Sequence, residues 1–128
     1  MKMSNNLGSN VNLFLGLQCQ FKILHWQTKG YARHIAFGNI YDTLDGLIDQ
    51  YVEISMGKVG RFSIDESNRN IEIYNLQDID IVKFIQKIKE FLIGLSAELS
   101  SENDTDLLNL RDEMLAEVNK LAYLLTLE

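Results

Sequence analysis

The chain has no proline, one cysteine, one tryptophan and two histidines in 128 residues. Without proline, no helical stretch is interrupted by a ring clash or a missing N–H. A lone Cys19 excludes an internal disulfide and a thiolate metal cluster, and reads as a small buried hydrophobe. No apolar run approaches the roughly 20 residues of a membrane-spanning helix. The opening MKMSNNLGSN is too polar for a secretory signal, so a cytoplasmic protein is expected. Lysine and arginine number 12 against 18 carboxylates, for a net charge of −6 and a pI near 4.9. The cations are scattered and form no N-terminal tail, which argues against nucleic-acid binding. There is no glycine-rich phosphate loop, no nucleophile elbow and no E-x-x-H motif.

What is present is helical periodicity throughout a single domain, residues 1–128. The first pattern runs from about Ser9, a candidate N-cap, to Thr28, with Gly30 just beyond it. Its apolar residues cover most of the circumference, which suggests a second buried side and hints at a partner subunit. The second runs from about Tyr31 to Met56, with Phe37, Ile40, Tyr41, Leu44, Leu47, Ile48 and Tyr51 at three- and four-residue spacing. Lys58-Val59-Gly60-Arg61 reads as the turn closing it, its cations near the negative end of the helix dipole. The third runs from about Gln77 to Ser100 and the fourth from about Asp104 to Leu127, with a turn rich in capping residues between them. About twenty residues, Gly57 to Leu76, separate helices two and three, and the alternation of Ile71, Ile73 and Leu76 predicts a short strand or small helix there. Two helical hairpins joined by one long crossover form the ferritin-like four-helix pattern, an all-α fold.

Both histidines fall in HWQTKGYARHIAFGNIYDTLDGLIDQYVE, residues 25–53. Taking 100° per residue from His34, Asp45 lies at about 20°, Asp49 at about 60°, Asp42 at about 80° and Glu53 at about 100°. One imidazole and four carboxylates share an arc opposite the apolar stripe, as on any solvated helix face. Two imidazoles plus carboxylates are also a ligand set for iron(II) or a related divalent metal. His25 shares a face of helix one with Phe14, Gln18 and Phe21, where burial requires a hydrogen bond or a metal.

The His25-Trp26 pair, Lys29-Gly30, His34, and then Asp49 and Glu53 resemble the Dps mini-ferritins of the ferritin-like superfamily. The intervals His34 to Asp49, fifteen, and Asp49 to Glu53, four, match the family's ligand spacing. The resemblance implies a homo-oligomer with two-fold interfaces. There, His25 and His34 of one chain would face Asp49 and Glu53 of another around iron; in a bundle without the oxidation chemistry, zinc or another divalent metal would serve as a structural clamp between subunits. Iron(II) would be oxidised by peroxide or dioxygen, with Trp26 beside the site accepting oxidising equivalents. The departures are a short interval between the histidines, Gly38 where the family carries a carboxylate, and the missing basic tail. The chain is also similar to small uncharacterised bacteriophage proteins sharing HWQT…YA.H…YD.L…D.YVE…G..GR. The alternative expectation is therefore a non-catalytic bundle, a structural or interaction protein with at most a structural metal, in the host cytoplasm if phage-encoded.

Overall fold

A computed structural model describes residues 2–127, with the side chains of residues 6–127. Four helices, α1 (Lys2–Gln27), α2 (Tyr31–Val59), α3 (Ile81–Gly94) and α4 (Thr105–Leu124), carry the chain, and no strand occurs among the described residues. None of these helices is long and apolar enough to cross a membrane.

The helix ends follow local chemistry. α1 starts well before Ser9, which lies inside the helix and caps nothing. Gly30, with extended backbone, opens α2 directly after the turn. α2 runs past Met56 to Val59 and stops at Gly60, whose φ of +89° disfavours any residue with a Cβ. Its backbone N–H closes the last turn on the Met56 carbonyl. α3 begins at Ile81, later than the periodicity suggests, because the Asp80 carboxylate accepts from the Lys83 N–H and sets the cap. The segment Leu95–Glu98 then tightens to 3₁₀ geometry. Arg111 of α4 donates to the Leu92 carbonyl at 3.0 Å and to Ser96 Oγ at 2.8 Å, satisfying the end of α3.

α1 packs on α2, α2 on α4 and α4 on α3. Edge-to-face pairs Phe14–Phe91 and Phe21–Phe84, both at 5.2 Å, close α3 back onto α1. The residue order of these pairs makes α1 and α3 antiparallel. Lys58, at the end of α2, bonds Asp104 and Asp106 at the start of α4, and Arg33 reaches the Leu125 carbonyl at the other end. α2 and α4 are therefore antiparallel, and α2 and α3 run the same way, so the crossover must travel back the whole length of the bundle. Phe14, Phe21, Leu24, Phe37, Leu44, Leu92, Leu107, Met114 and Val118 fill the core at 2% exposure or less. Each such side chain contributes roughly 1.5–3 kcal/mol on burial. Tyr51 joins them edge-on to Phe14, and burial pushes its hydroxyl well above the ordinary tyrosine range.

The crossover, residues 60–80, forms no strand; of the expected elements it has only short helical turns, one of which begins at Leu76 and packs that residue on the core. It holds two 3₁₀ turns, Glu66–Asn68 and Leu76–Asp78, with a stretch free of turns and bends between them. It lies along α1 as a strap. One side of α1 is therefore covered by the chain itself, along a line of small and amide residues. Leu13 and Leu15 remain about half exposed, and Cys19 is exposed, contrary to the buried thiol expected of it.

Candidate functional site

The short connection at Thr28–Gly30 brings the last turn of α1 against the first turns of α2. His25 and His34 meet there face to face, ring centroids 3.9 Å apart and planes 17° from parallel. His25 Nδ1 lies 2.7 Å from the His34 carbonyl, and His34 Nδ1 lies 2.8 Å from the His25 carbonyl. A carbonyl oxygen only accepts, so both Nδ1 atoms carry the proton and donate. The His25 carbonyl is one of the four that a helix C-terminus leaves without an intrahelical partner, and His34 satisfies it. The pair is a reciprocal clasp across the turn.

Gly38 is part of the same device. A Cβ there would stand 2.9 Å from His25 Cε1 and 3.0 Å from Nδ1, too close for an ordinary contact. The position where the mini-ferritin pattern has a carboxylate is thus a floor that admits the imidazole. Beside the clasp, the Lys22 ammonium sits 4.4 Å from the Tyr41 ring centroid and 5.5 Å from that of Trp26. Trp26 is 65% exposed and packs under this cation, a contact of roughly 0.5–1 kcal/mol.

The four expected ligands do not converge within a chain. Asp49 and Glu53 are exposed, and fifteen residues of helix separate His34 from Asp49, about 22 Å. Among the described residues, no three His, Cys, Asp or Glu side chains are grouped closely enough to hold a metal ion. The histidines alone do not fit one ion either. The free lone pair of each ring lies in its ring plane, and these planes are stacked and nearly parallel. An ion about 2.1 Å from both Nε2 atoms would have to lie in both planes at once. A concavity of about 720 Å³ between α1, the strap and α3 has Leu17, Phe84 and Ile88 among its lining and none of the four candidate ligands.

A second constellation, absent from the sequence reading, lies on the outer face of α1. Gly8, Asn12, Gly16 and Gln20 recur every four residues and Gln27 follows seven later. All five meet the strap. A Cβ on Gly8 would overlap the Ser63 carbonyl oxygen, and one on Gly16 would touch Ile71. Asn12 Nδ2 donates to the carbonyls of Asn68 (2.8 Å) and Asn70 (3.0 Å). Gln20 donates to the Tyr74 carbonyl (2.9 Å) and accepts from the Tyr74 N–H (2.8 Å). Gln27 accepts from the Leu76 N–H and donates to Asn75 Oδ1. Small residues and amides at this spacing, within an otherwise apolar helix, were the available signal.

The family described only as a family of unknown function, DUF5856, matches residues 25–125. The chain belongs to that family. Its match opens at His25 and takes in the clasp, Gly38, the strap and the bundle beyond it. An uncharacterized 14.6 kDa protein in the mobD-ri intergenic region of Enterobacteria phage T4 is 28% identical over 118 residues. That similarity covers 92% of this chain and 86% of the phage protein. No solved structure matches the chain.

Proposed function

We propose that this member of DUF5856 is a non-catalytic helical bundle of phage type, with ferritin-like connectivity, acting as a structural or interaction protein in the cytoplasm of the infected host. The observation that carries the reading is the use made of the two histidines. Both Nδ1–H groups are spent on closing the α1–α2 turn, and the rings are stacked so that no single ion bridges them. Similarity to a phage protein supports the same reading.

One observation favours a second reading, the inter-subunit metal site of His25, His34, Asp49 and Glu53. A histidine that donates Nδ1–H to a backbone carbonyl holds its Nε2 in the orientation used by metal-bound imidazoles. Each ring would then bind separately, with carboxylates from a second copy, and iron(II) would be the substrate. Native mass spectrometry after anaerobic iron(II) addition separates the two. The interaction reading expects no stoichiometric iron and an assembly unchanged by chelation. A closed oligomer holding one or two irons per chain, lost on Asp49→Ala, would overturn it.

A further inference from the structure

The backbone of the strap is hydrogen-bonded to α1 at alternate positions. Every backbone group that α1's amides engage belongs to an even-numbered residue: Asn68, Asn70, Tyr74 and Leu76. In extended chain, the N–H and C=O of one residue point to the same edge, and successive residues alternate edges. Asn70–Asn75 contains no turn or bend, and Tyr74 Oη donates to Glu72 two residues back at 2.6 Å, as same-side neighbours of an extended segment do. The N–H and C=O groups of Ile71 and Ile73 therefore point away from α1's amides. Among the described residues none of them has a hydrogen-bond partner. Ile71 is 39% and Ile73 50% exposed.

Ile71-Glu72-Ile73-Tyr74 thus has the composition of a β-strand and one open edge. Natural proteins protect such edges with lysine, proline, a bulge or a covering element, because an open edge is a template for another chain. None of the first three is present here. The strap from Arg61 to Asp80 instead carries five carboxylates against two guanidiniums and no lysine.

We infer that the outward edge of Ile71–Ile73 is a docking site for an extended segment of a partner protein, alternating apolar with basic residues. This deepens the interaction reading proposed above and rests on it. Strand addition satisfies the free N–H and C=O groups. Apolar residues of the incoming segment lie beside Ile71 and Ile73, and a lysine or arginine lies opposite Glu72. Charge selects the partner. Pairing two copies of this strap antiparallel, with Ile71 opposite Ile73, sets Glu72 across from Glu72, which destabilises the pair.

The test is an NMR titration of the full ¹⁵N-labelled chain with an acetylated, amidated heptapeptide alternating isoleucine with lysine. Saturable shifts centred on the Ile71 and Ile73 amides are expected. The key variant is Ile73→Pro. It removes an outward donor while leaving every strap-to-α1 bond in place, and extended backbone accommodates proline. It should fold with unchanged circular dichroism and bind the peptide about tenfold more weakly, the equivalent of one strand hydrogen bond. A peptide with glutamate in place of lysine, or with alternate amides N-methylated, should not bind. No binding to the wild type, or equal binding to wild type and Ile73→Pro, overturns the inference. A wild-type dimer that Ile73→Pro splits also overturns it, by showing a second copy on the edge. Iron oxidation by the wild type would instead remove the interaction reading without altering the peptide result.

Discussion

α1 has two polar seams, and they work in different ways. On the α2 side, His25 and His34 form one compact clasp, each ring bonded to the other's backbone and stacked over Gly38. On the strap side, Asn12, Gln20 and Gln27 spread their contacts along about 22 Å of helix and hold a segment with almost no core of its own. The histidine seam fixes the geometry of one turn inside a bundle already held by buried phenylalanines and leucines. Leu76 and Ile79 anchor the end of the strap on the core, and the amide seam holds the exposed stretch before them. Losing a contact should therefore cost more on the strap side, and the effects should differ in kind.

The largest effect is expected from Gln20→Ala. It removes two hydrogen bonds and leaves the Tyr74 N–H and C=O without their partner, costing about 2–3 kcal/mol. Thermal denaturation should show the loss, and limited proteolysis should cut first within residues 61–80. Proteolysis starting elsewhere would mean the strap is held by something other than the amides.

Next come two substitutions on α2 with opposite signs. Gly38→Ala forces a Cβ against the His25 ring and should destabilise by about 1–2 kcal/mol despite alanine's better helix propensity. Gly46→Ala meets nothing within 4 Å and should stabilise by about 0.5–1 kcal/mol. Equal shifts from the two, read by urea denaturation, would mean the clasp does not depend on Gly38.

The smallest effect is the pH dependence of the Lys58 clamp. The hydrogen bond from Lys58 holds the Asp106 carboxyl below the usual carboxylate range, and that same bond raises the Lys58 ammonium above its own. A carboxyl with a lowered folded-state pKa adds stability above its unfolded value and loses it as pH falls through the folded one. An ammonium with a raised pKa adds stability below its unfolded value and loses it as pH rises. The difference in Tm between wild type and Lys58→Met should therefore be small and level across neutral pH and should shrink at both extremes, leaving in acid the Lys58 bond to the Asn103 carbonyl. A difference undiminished in strong acid would show that the clamp is not ionic.

Much of the bundle was legible because core contact imposes periodicity. The stripe Phe37, Ile40, Leu44 and Tyr51 is buried as expected. Boundaries were less legible. Asp80, not the upstream residues, caps α3, and α1 continues past Ser9 because serine is tolerated inside a helix as well as at its start. The acidic arc of α2 could be read only as a face, since solvated carboxylates and carboxylates awaiting a partner have the same spacing. His25 and His34 were legible as a pair, but ligand and clasp use the same residue type. The Nδ1 partners suit both uses, and the stacking argues only against one ion shared by the two rings. The strap was least legible, because its fastening uses side chains on α1 for backbone groups some fifty residues away, and backbone leaves no mark in sequence.

The most direct measurement is a long-range ¹H–¹⁵N NMR spectrum of the two imidazoles at neutral pH, before and after equimolar zinc(II) as a diamagnetic stand-in for iron(II). Expected are two rings protonated and hydrogen-bonded at Nδ1, with Nε2 resonances that zinc leaves in place. A zinc-induced Nε2 shift in both rings, abolished by Asp49→Ala, would contradict the non-catalytic reading and support the inter-subunit metal centre.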